Sequence, residues 1–205
     1  MNKTKITYGF PQSKEEVKYA FRFVQQQLEI TLTHPRQEKY YLDVFETLPS
    51  LLLVAKSQDS IVGCAFGSKN PFEKEKIGEI LIGELCVHPN FQGKNIGKTL
   101  LSRLEINAKK EGFTELILGA RRGVEPFYFK CGFSANFFFQ IENTNCLEEL
   151  KKITVKYPIR KAEIDERWTR LTLETINLVP KLEQQISARF PDGYIHYAFT
   201  KKIDS

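Results

Sequence analysis

The chain has 205 residues, of which 41% are hydrophobic and 27% charged. That is enough apolar side chain for one folded domain, or a domain with a small extension, and it excludes a disordered or collagen-like polymer. Net charge is +5, with residues 151–205 holding 11 basic and 7 acidic side chains against 19 and 18 before them; a nucleic-acid binder would carry a denser basic stripe, so no nucleic-acid partner is expected.

A short strand over Lys5–Phe10 ends at Pro11. Ser13 and Glu16 form an S-x-x-E helix start, and Val17, Ala20, Phe21, Val24 and Leu28 then recur at helical spacing to about residue 30. His34-Pro35 breaks the pattern, and Tyr40, Tyr41, Val44, Phe45 and Leu48 predict a second, shorter helix closed by Pro49. Two strands, Leu51–Lys56 and Ile61–Gly67, flank the polar turn Ser57–Ser60. A longer strand covers Ile77–His88 and stops at Pro89.

Gly97–Lys110 reads as a helix with Leu100, Leu101, Leu104 and Ala108 on one face, followed after Gly112 by a strand at Thr114–Leu118. A short aromatic helix, Val124–Cys131, ends at Gly132, and Ala135–Ile141 is again a strand. Later signals are weaker: a helix at Leu147–Lys152, strands at Ile153–Tyr157 and Arg167–Ile176, a helix opened by Pro180, and a last strand at Tyr194–Lys201. The mixture is an α/β (α+β) protein with a mixed sheet.

The longest apolar run, Leu51 to Ala55, is far below the roughly 20 residues of a membrane span, and Met1–Tyr8 lacks the apolar stretch of a signal peptide. A soluble, cytoplasmic chain with no membrane partner is the expectation. Cys64, Cys86, Cys131 and Cys146 have no C-x-x-C spacing and only three histidines accompany them, which argues for reduced, mostly buried thiols and against a metal site.

The stretch from Glu84 to Leu101 is strand, polar glycine-containing loop, then helix. Such a loop gathers backbone N–H groups at the positive end of a helix and suits a phosphate. One reading is a nucleotide-binding P-loop, since Gly97-Lys98-Thr99 matches the end of G-x-x-x-x-G-K-[ST]. The first glycine of that motif should occupy position 92, which is Gln, and Gly93 leaves one residue too few to wrap a phosphate the same way.

The other reading accounts for more residues. Val87-His88-Pro89 followed by Gln92-Gly93-Lys94-Asn95-Ile96-Gly97 resembles motif A of the GNAT superfamily of N-acetyltransferases, with Asn95 where the pattern has its middle glycine. Asn is the mildest replacement, because it enters positive φ more readily than most residues. Phe127-Tyr128, Gly132 and Phe133 resemble motif B, F-Y-x-x-x-G-F, at the appropriate distance downstream.

The resemblance covers residues 4–142 and implies a GNAT fold: a mixed, mostly antiparallel sheet flanked by helices. It implies acetyl-CoA as co-substrate, with Gln92, Gly93, Lys94, Asn95, Ile96, Gly97 and Lys98 at its pyrophosphate. Leu85, Cys86 and Val87 would offer backbone hydrogen bonds to the pantetheine arm. It implies Tyr128 as general acid to the leaving thiolate and a strand glutamate as base. Glu84 is the first choice for that base, and Glu79 on the same strand is the alternative. A buried core role for Tyr128 and a solvated role for Glu84 are the plain readings beside these. His88 is expected to be a loop residue, Arg121-Arg122 a solvated turn, and Trp168 a core anchor.

The implied activity is transfer of acetyl from acetyl-CoA to a primary amine of a small molecule or peptide, by direct attack in a ternary complex without a metal. The alternative is a non-catalytic GNAT-fold module that binds CoA or a protein. Residues 143–205 lie outside the resemblance. They read either as a ferredoxin-like β-α-β-β-α-β extension, counting the strand at Ala135–Ile141, or as an insertion before a last core strand. They are expected to shape acceptor choice or a homodimer contact.

Overall fold

The computed structural model describes residues 5–28, 35–69 and 78–203, and these contain nine strands and six helices. They divide into two compact units. One comprises the described residues up to Leu116 together with Lys202 and Ile203, and the other is Ile117–Lys201.

In the first unit, β1 (Ile6–Gly9), β2 (Leu52–Ser57), β3 (Ser60–Lys69) and β4 (Glu79–Val87) pair in that order, every neighbour antiparallel. The turn between β2 and β3 is tighter than the predicted four-residue loop. Ser57 and Ser60 already face each other, and Gln58 turns the chain at φ 54°. Ile77, the predicted start of β4, lies outside the described residues.

Helix α1 (Lys14–Leu28) starts as its sequence prescribes, with the Ser13 hydroxyl accepting the Glu16 N–H at 3.1 Å. The Glu16 carboxylate returns the contact one residue earlier than a capping box, accepting the Gln12 N–H at 2.8 Å. Helix α2 spans Pro35–Thr47, so Pro35 opens a helix instead of lying in a break, as its fixed φ and missing N–H allow. Residues 29–34, where α1 was expected to end, lie outside the described residues.

The apolar stripes of α1 and α2 meet Leu52, Val54, Cys64, Phe66 and Cys86 on one face of the sheet. Helix α3 (Ile96–Lys110) packs on β2, β3 and β4 as well. Gly63 and Gly67 let it approach: a Cβ on Gly63 would stand 3.3 Å from both Ile96 and Leu100, and one on Gly67 3.3 Å from Leu104.

The break between the units falls inside β5 (Glu115–Gly119), after which come α4 (Glu125–Lys130), β6 (Ser134–Ile141), α5 (Leu147–Ile153), β7 (Ile159–Ile164), β8 (Thr169–Ile176), α6 (Pro180–Arg189) and β9 (Tyr194–Lys202). Within the second unit β6 lies between β9 and β8, and β7 pairs with β8, all antiparallel. Each helical crossover skips a strand, β6 to β7 over β8 and β8 to β9 over β6, the split β-α-β pattern. Phe137, Phe139, Leu171 and Leu173 of this sheet pack against Leu150 of α5 and Leu182 and Ile186 of α6.

Two local expectations fail here. The strand predicted at Ile153–Tyr157 is the end of α5 and a turn. Thr154 folds back, donating both its N–H (2.9 Å) and its hydroxyl (2.8 Å) to the Leu150 carbonyl, and Val155 is 83% exposed. The strand is instead the charged, mostly exposed β7, whose burial pattern carries no alternation to read. Trp168 is not a core anchor: it is half-buried in the β7–β8 turn, with the Arg167 guanidinium 5.2 Å over its ring.

Candidate active site

The candidate base sits where β4 is irregular. Cys86 faces Cys64 and Glu84 faces Phe66, but Gly67 faces Ile82, so Gly83 is an extra residue with no partner on β3. Side chains alternate along a strand, and one inserted residue reverses the face of everything beyond it. Ile80, Ile82, Glu84 and Cys86 alternate evenly in sequence and would share one face of an unbroken strand. The bulge separates them. Ile80 goes to the side of Gly67 and Leu104, while Glu84 and Cys86 join Phe66 and Cys64 on the face packed by α1 and α2.

Glu84 is consequently 8% exposed rather than solvated. The Tyr41 hydroxyl of α2 donates to its Oε1 at 3.5 Å. That phenol is pushed well above the ordinary tyrosine pKa, first by burial and then by the Glu84 charge, so it stays protonated and acts as a donor. Sequence reasoning placed Tyr41 only among the apolar positions of its helix; a hydroxyl at a core-facing position was the available signal that it needs a polar partner. Glu79, the alternative base, opens β4 and is half-buried.

The strand leads directly into the loop. The His88 N–H continues the ladder to the Val62 carbonyl at 2.9 Å, and the His88 Nδ1 accepts the Asn90 N–H at 3.2 Å, which makes it the loop residue expected. A 3-10 turn over Pro89–Phe91 follows. Gln92 folds back, donating Nε2 to the Val87 carbonyl at 3.0 Å, which ties the loop to the end of β4. Gly93 and Asn95 both take positive φ, 72° and 62°. Asn95 thus adopts the left-handed conformation that a glycine would supply, as its short polar side chain permits.

Asn95 is the residue before α3, and its side chain makes no capping hydrogen bond. The first N–H groups of an α-helix have no partner within the helix, so this end of a 15-residue helix presents donors and positive potential to an anion. Residues 92–95 and Lys98 are exposed. The Lys94 ammonium rests on its own loop, donating to the Asn90 carbonyl at 2.9 Å and lying 4.9 Å over the Phe91 ring. The first unit therefore brings together Glu84, Leu85, Cys86, Val87 and the loop of residues 92–98 on one strand–turn–helix segment.

Tyr128 belongs to the second unit. It is 8% exposed, among the rings of Phe127 (5.2 Å), Phe133 (5.8 Å) and Phe199 (5.6 Å). Burial, with a smaller contribution from Cys131, pushes its pKa up to about 12. Arg122, of the expected solvated turn, pairs with Glu183 at 2.9 Å with its side chain 89% exposed. Among the described residues no group of His, Cys, Asp and Glu is arranged to hold a metal ion.

The sequence pattern described as Acetyltransferase (GNAT) family matches residues 21–133, more than half of the chain. The chain belongs to this family. The amino-acid acetyltransferase of Escherichia coli (strain K12) is 30% identical over 74 residues, which is 36% of this chain and 16% of that protein. The match therefore spans well under two thirds of the curated relative. Among solved GNAT-like structures, yncA from Salmonella typhimurium, with its cofactor acetyl-CoA, covers 98% of this chain and 95% of its own at 16% identity and a TM-score of 0.50. Diaminobutyrate acetyltransferase from Paenibacillus lautus, in complex with L-2,4-diaminobutyric acid and coenzyme A, covers 85% and 97% at 12% identity and a TM-score of 0.52. At these identities the likeness is one of fold, and the fold is that of the GNAT family. No helix among the described residues is long and apolar enough to cross a membrane.

Proposed function

We propose that this GNAT family member is an N-acetyltransferase that moves acetyl from acetyl-CoA to a primary amine by direct attack. The observation that carries this reading is the strand–loop–helix segment of residues 84–98. It joins a buried carboxylate to a helix N-terminus whose own Asn95 side chain leaves it uncapped. The pyrophosphate of acetyl-CoA carries the charge such an end accepts. The backbone of residues 92–97 would hold it, with Lys94 and Lys98 adding positive charge and Leu85, Cys86 and Val87 offering the strand backbone to the pantetheine arm.

In this reading Glu84 takes a proton from the acceptor ammonium, directly or through water. The free amine nitrogen forms a bond to the thioester carbonyl, the carbon–sulfur bond breaks, the thiolate takes a proton from Tyr128, and the proton that the new amide nitrogen gives up restores the phenol, directly or through water. No metal is needed. A phenol with a pKa of about 12 is protonated throughout the neutral range, as a general acid must be. The acceptor search begins with free amino acids, because the matched Escherichia coli stretch belongs to an amino-acid acetyltransferase. Residues 143–205, an extension to a core of residues 4–142, are read as acting in acceptor choice.

The test is calorimetric titration with acetyl-CoA in magnesium-free buffer, followed by a screen of amino acids. Micromolar binding that Lys94→Glu weakens by about tenfold supports the loop assignment. An absence of binding overturns it and leaves a non-catalytic module. Binding without turnover of any amine in the screen also favours the module.

A further inference from the structure

We propose that Tyr41 is a positioning residue for Glu84, donating its phenolic hydrogen bond to hold the carboxylate against the Gly83 bulge and keep it ionised where it must accept a proton. The inference rests on the reading of Glu84 as the base.

Three independent features converge on this pair. The Tyr41 hydroxyl lies 3.5 Å from Glu84 Oε1 although 43 residues separate the two in sequence. Its ring has no freedom to leave: it is 5% exposed and meets Phe66 at 5.1 Å, Tyr40 at 5.5 Å and Phe21 at 5.7 Å. Finally, a Cβ on Gly83 would collide with the Tyr41 oxygen. The hydroxyl occupies the space that any other residue at the bulge would need, so the absent side chain at 83 and the phenol at 41 form one fitted arrangement.

The surroundings set how strongly a donated hydrogen bond acts on a carboxylate this buried. From α2 it faces Tyr41 with Tyr40 alongside, from β3 Cys64, and on its own strand Cys86. The residues that α1 buries, Val17, Ala20, Phe21, Phe23 and Val24, are all apolar. Desolvation in such a setting disfavours the charged form, and a hydrogen bond donated to that form opposes the effect. Losing the donor therefore raises the Glu84 pKa and moves the onset of base catalysis to higher pH.

The experiment is a ¹³C-carboxylate NMR titration of the full-length protein, with Glu84→Gln assigning the Glu84 signal. It is run on wild type, Tyr41→Phe and Gly83→Ala. The Glu84 midpoint is expected to rise by about one pH unit in Tyr41→Phe. Gly83→Ala, which displaces the hydroxyl without deleting it, is expected to raise it in the same direction. A merely structural role would lower thermal stability and leave both midpoints in place, and unmoved midpoints overturn the proposal. Acetyl transfer to L-glutamate and L-2,4-diaminobutyrate is then followed against pH. The acid limb of kcat/KM should move with the NMR midpoint in Tyr41→Phe, while the acetyl-CoA dissociation constant stays within about twofold. If the midpoints shift but Glu84→Gln still transfers acetyl at the wild-type rate, the base assignment has failed, and Tyr41 positions no catalytic group.

Discussion

The sulfur of Cys64 lies 3.5 Å from that of Cys86, its direct partner across β3 and β4. Both thiols are buried, as is Cys146, and Cys131 alone is half-buried. Burial pushes the Cys64 pKa well up, and the Cys86 thiol and the Glu84 charge push it the same way. A thiol held protonated in apolar surroundings is a poor nucleophile.

It follows that alkylation of the native protein by iodoacetamide should modify Cys131 first. Cys64, Cys86 and Cys146 should react only once denaturant opens the fold. Peptide mass spectrometry after a short pulse reads this directly. Labelling of Cys64 or Cys86 as fast as Cys131 would mean that β3 and β4 separate readily in the native state.

Asn95, at φ 62°, is held in a conformation that β-branched residues rarely adopt. Asn95→Gly should change stability by less than about 0.5 kcal/mol, whereas Asn95→Val should cost about 1–2 kcal/mol and weaken acetyl-CoA binding by distorting the loop. Urea denaturation and calorimetry on the two variants separate the backbone effect from loss of the asparagine amide. Equal losses in both variants would assign the residue's importance to its side chain.

For Tyr128 the expected signature is kinetic. On the proposed mechanism, Tyr128→Phe should lower kcat by about two orders of magnitude and leave acetyl-CoA affinity within about twofold, since the ring's packing survives and the proposed proton donor is lost. With the phenol pKa raised to about 12, the wild-type rate should show no alkaline limb from this group at neutral to mildly basic pH. Unimpaired turnover by the variant would return Tyr128 to the role of an aromatic core residue.

His196 supplies a pH test of stability. Its ring is 4.5 Å from Phe138 and 5.3 Å from Tyr194, its Nδ1 is buried without a hydrogen-bond partner, and burial lowers its pKa. The unfolded chain protonates at about pH 6.5. The folded state resists protonation, so stability is intact above that pH and declines as pH falls from there toward the folded pKa. His196→Phe keeps the ring contacts and should flatten this part of the decline. Urea midpoints at pH 7.5 and 5.5 give the comparison, and an equal drop in both proteins would place the acid sensitivity elsewhere.

Much of this molecule was legible because it is written locally. The Ser13 cap, the periodicity of α1 and α3, the turn at Gly93 and the left-handed Asn95 each depend on interactions within a turn or two of chain, which short-range sequence encodes. The same local rules failed at β7, where the charged strand residues carry no alternation and the β-branched run before them is folded back by Thr154. Trp168 also defied expectation, because a large apolar side chain states a preference for burial and says nothing about where the core lies.

The spacing of Ile80, Ile82, Glu84 and Cys86 determined by itself that a strand would form there, with a carboxylate in an apolar run. It did not determine which way that carboxylate would point. That was decided by the bulge at Gly83 and by the phenol that α2 delivers from 43 residues away, whose hydroxyl fills the place a Cβ at Gly83 would take. Alternation is a property of one strand, whereas the face a residue occupies is set by pairing register with β3 and by what packs above it, and only the assembled tertiary structure contains both.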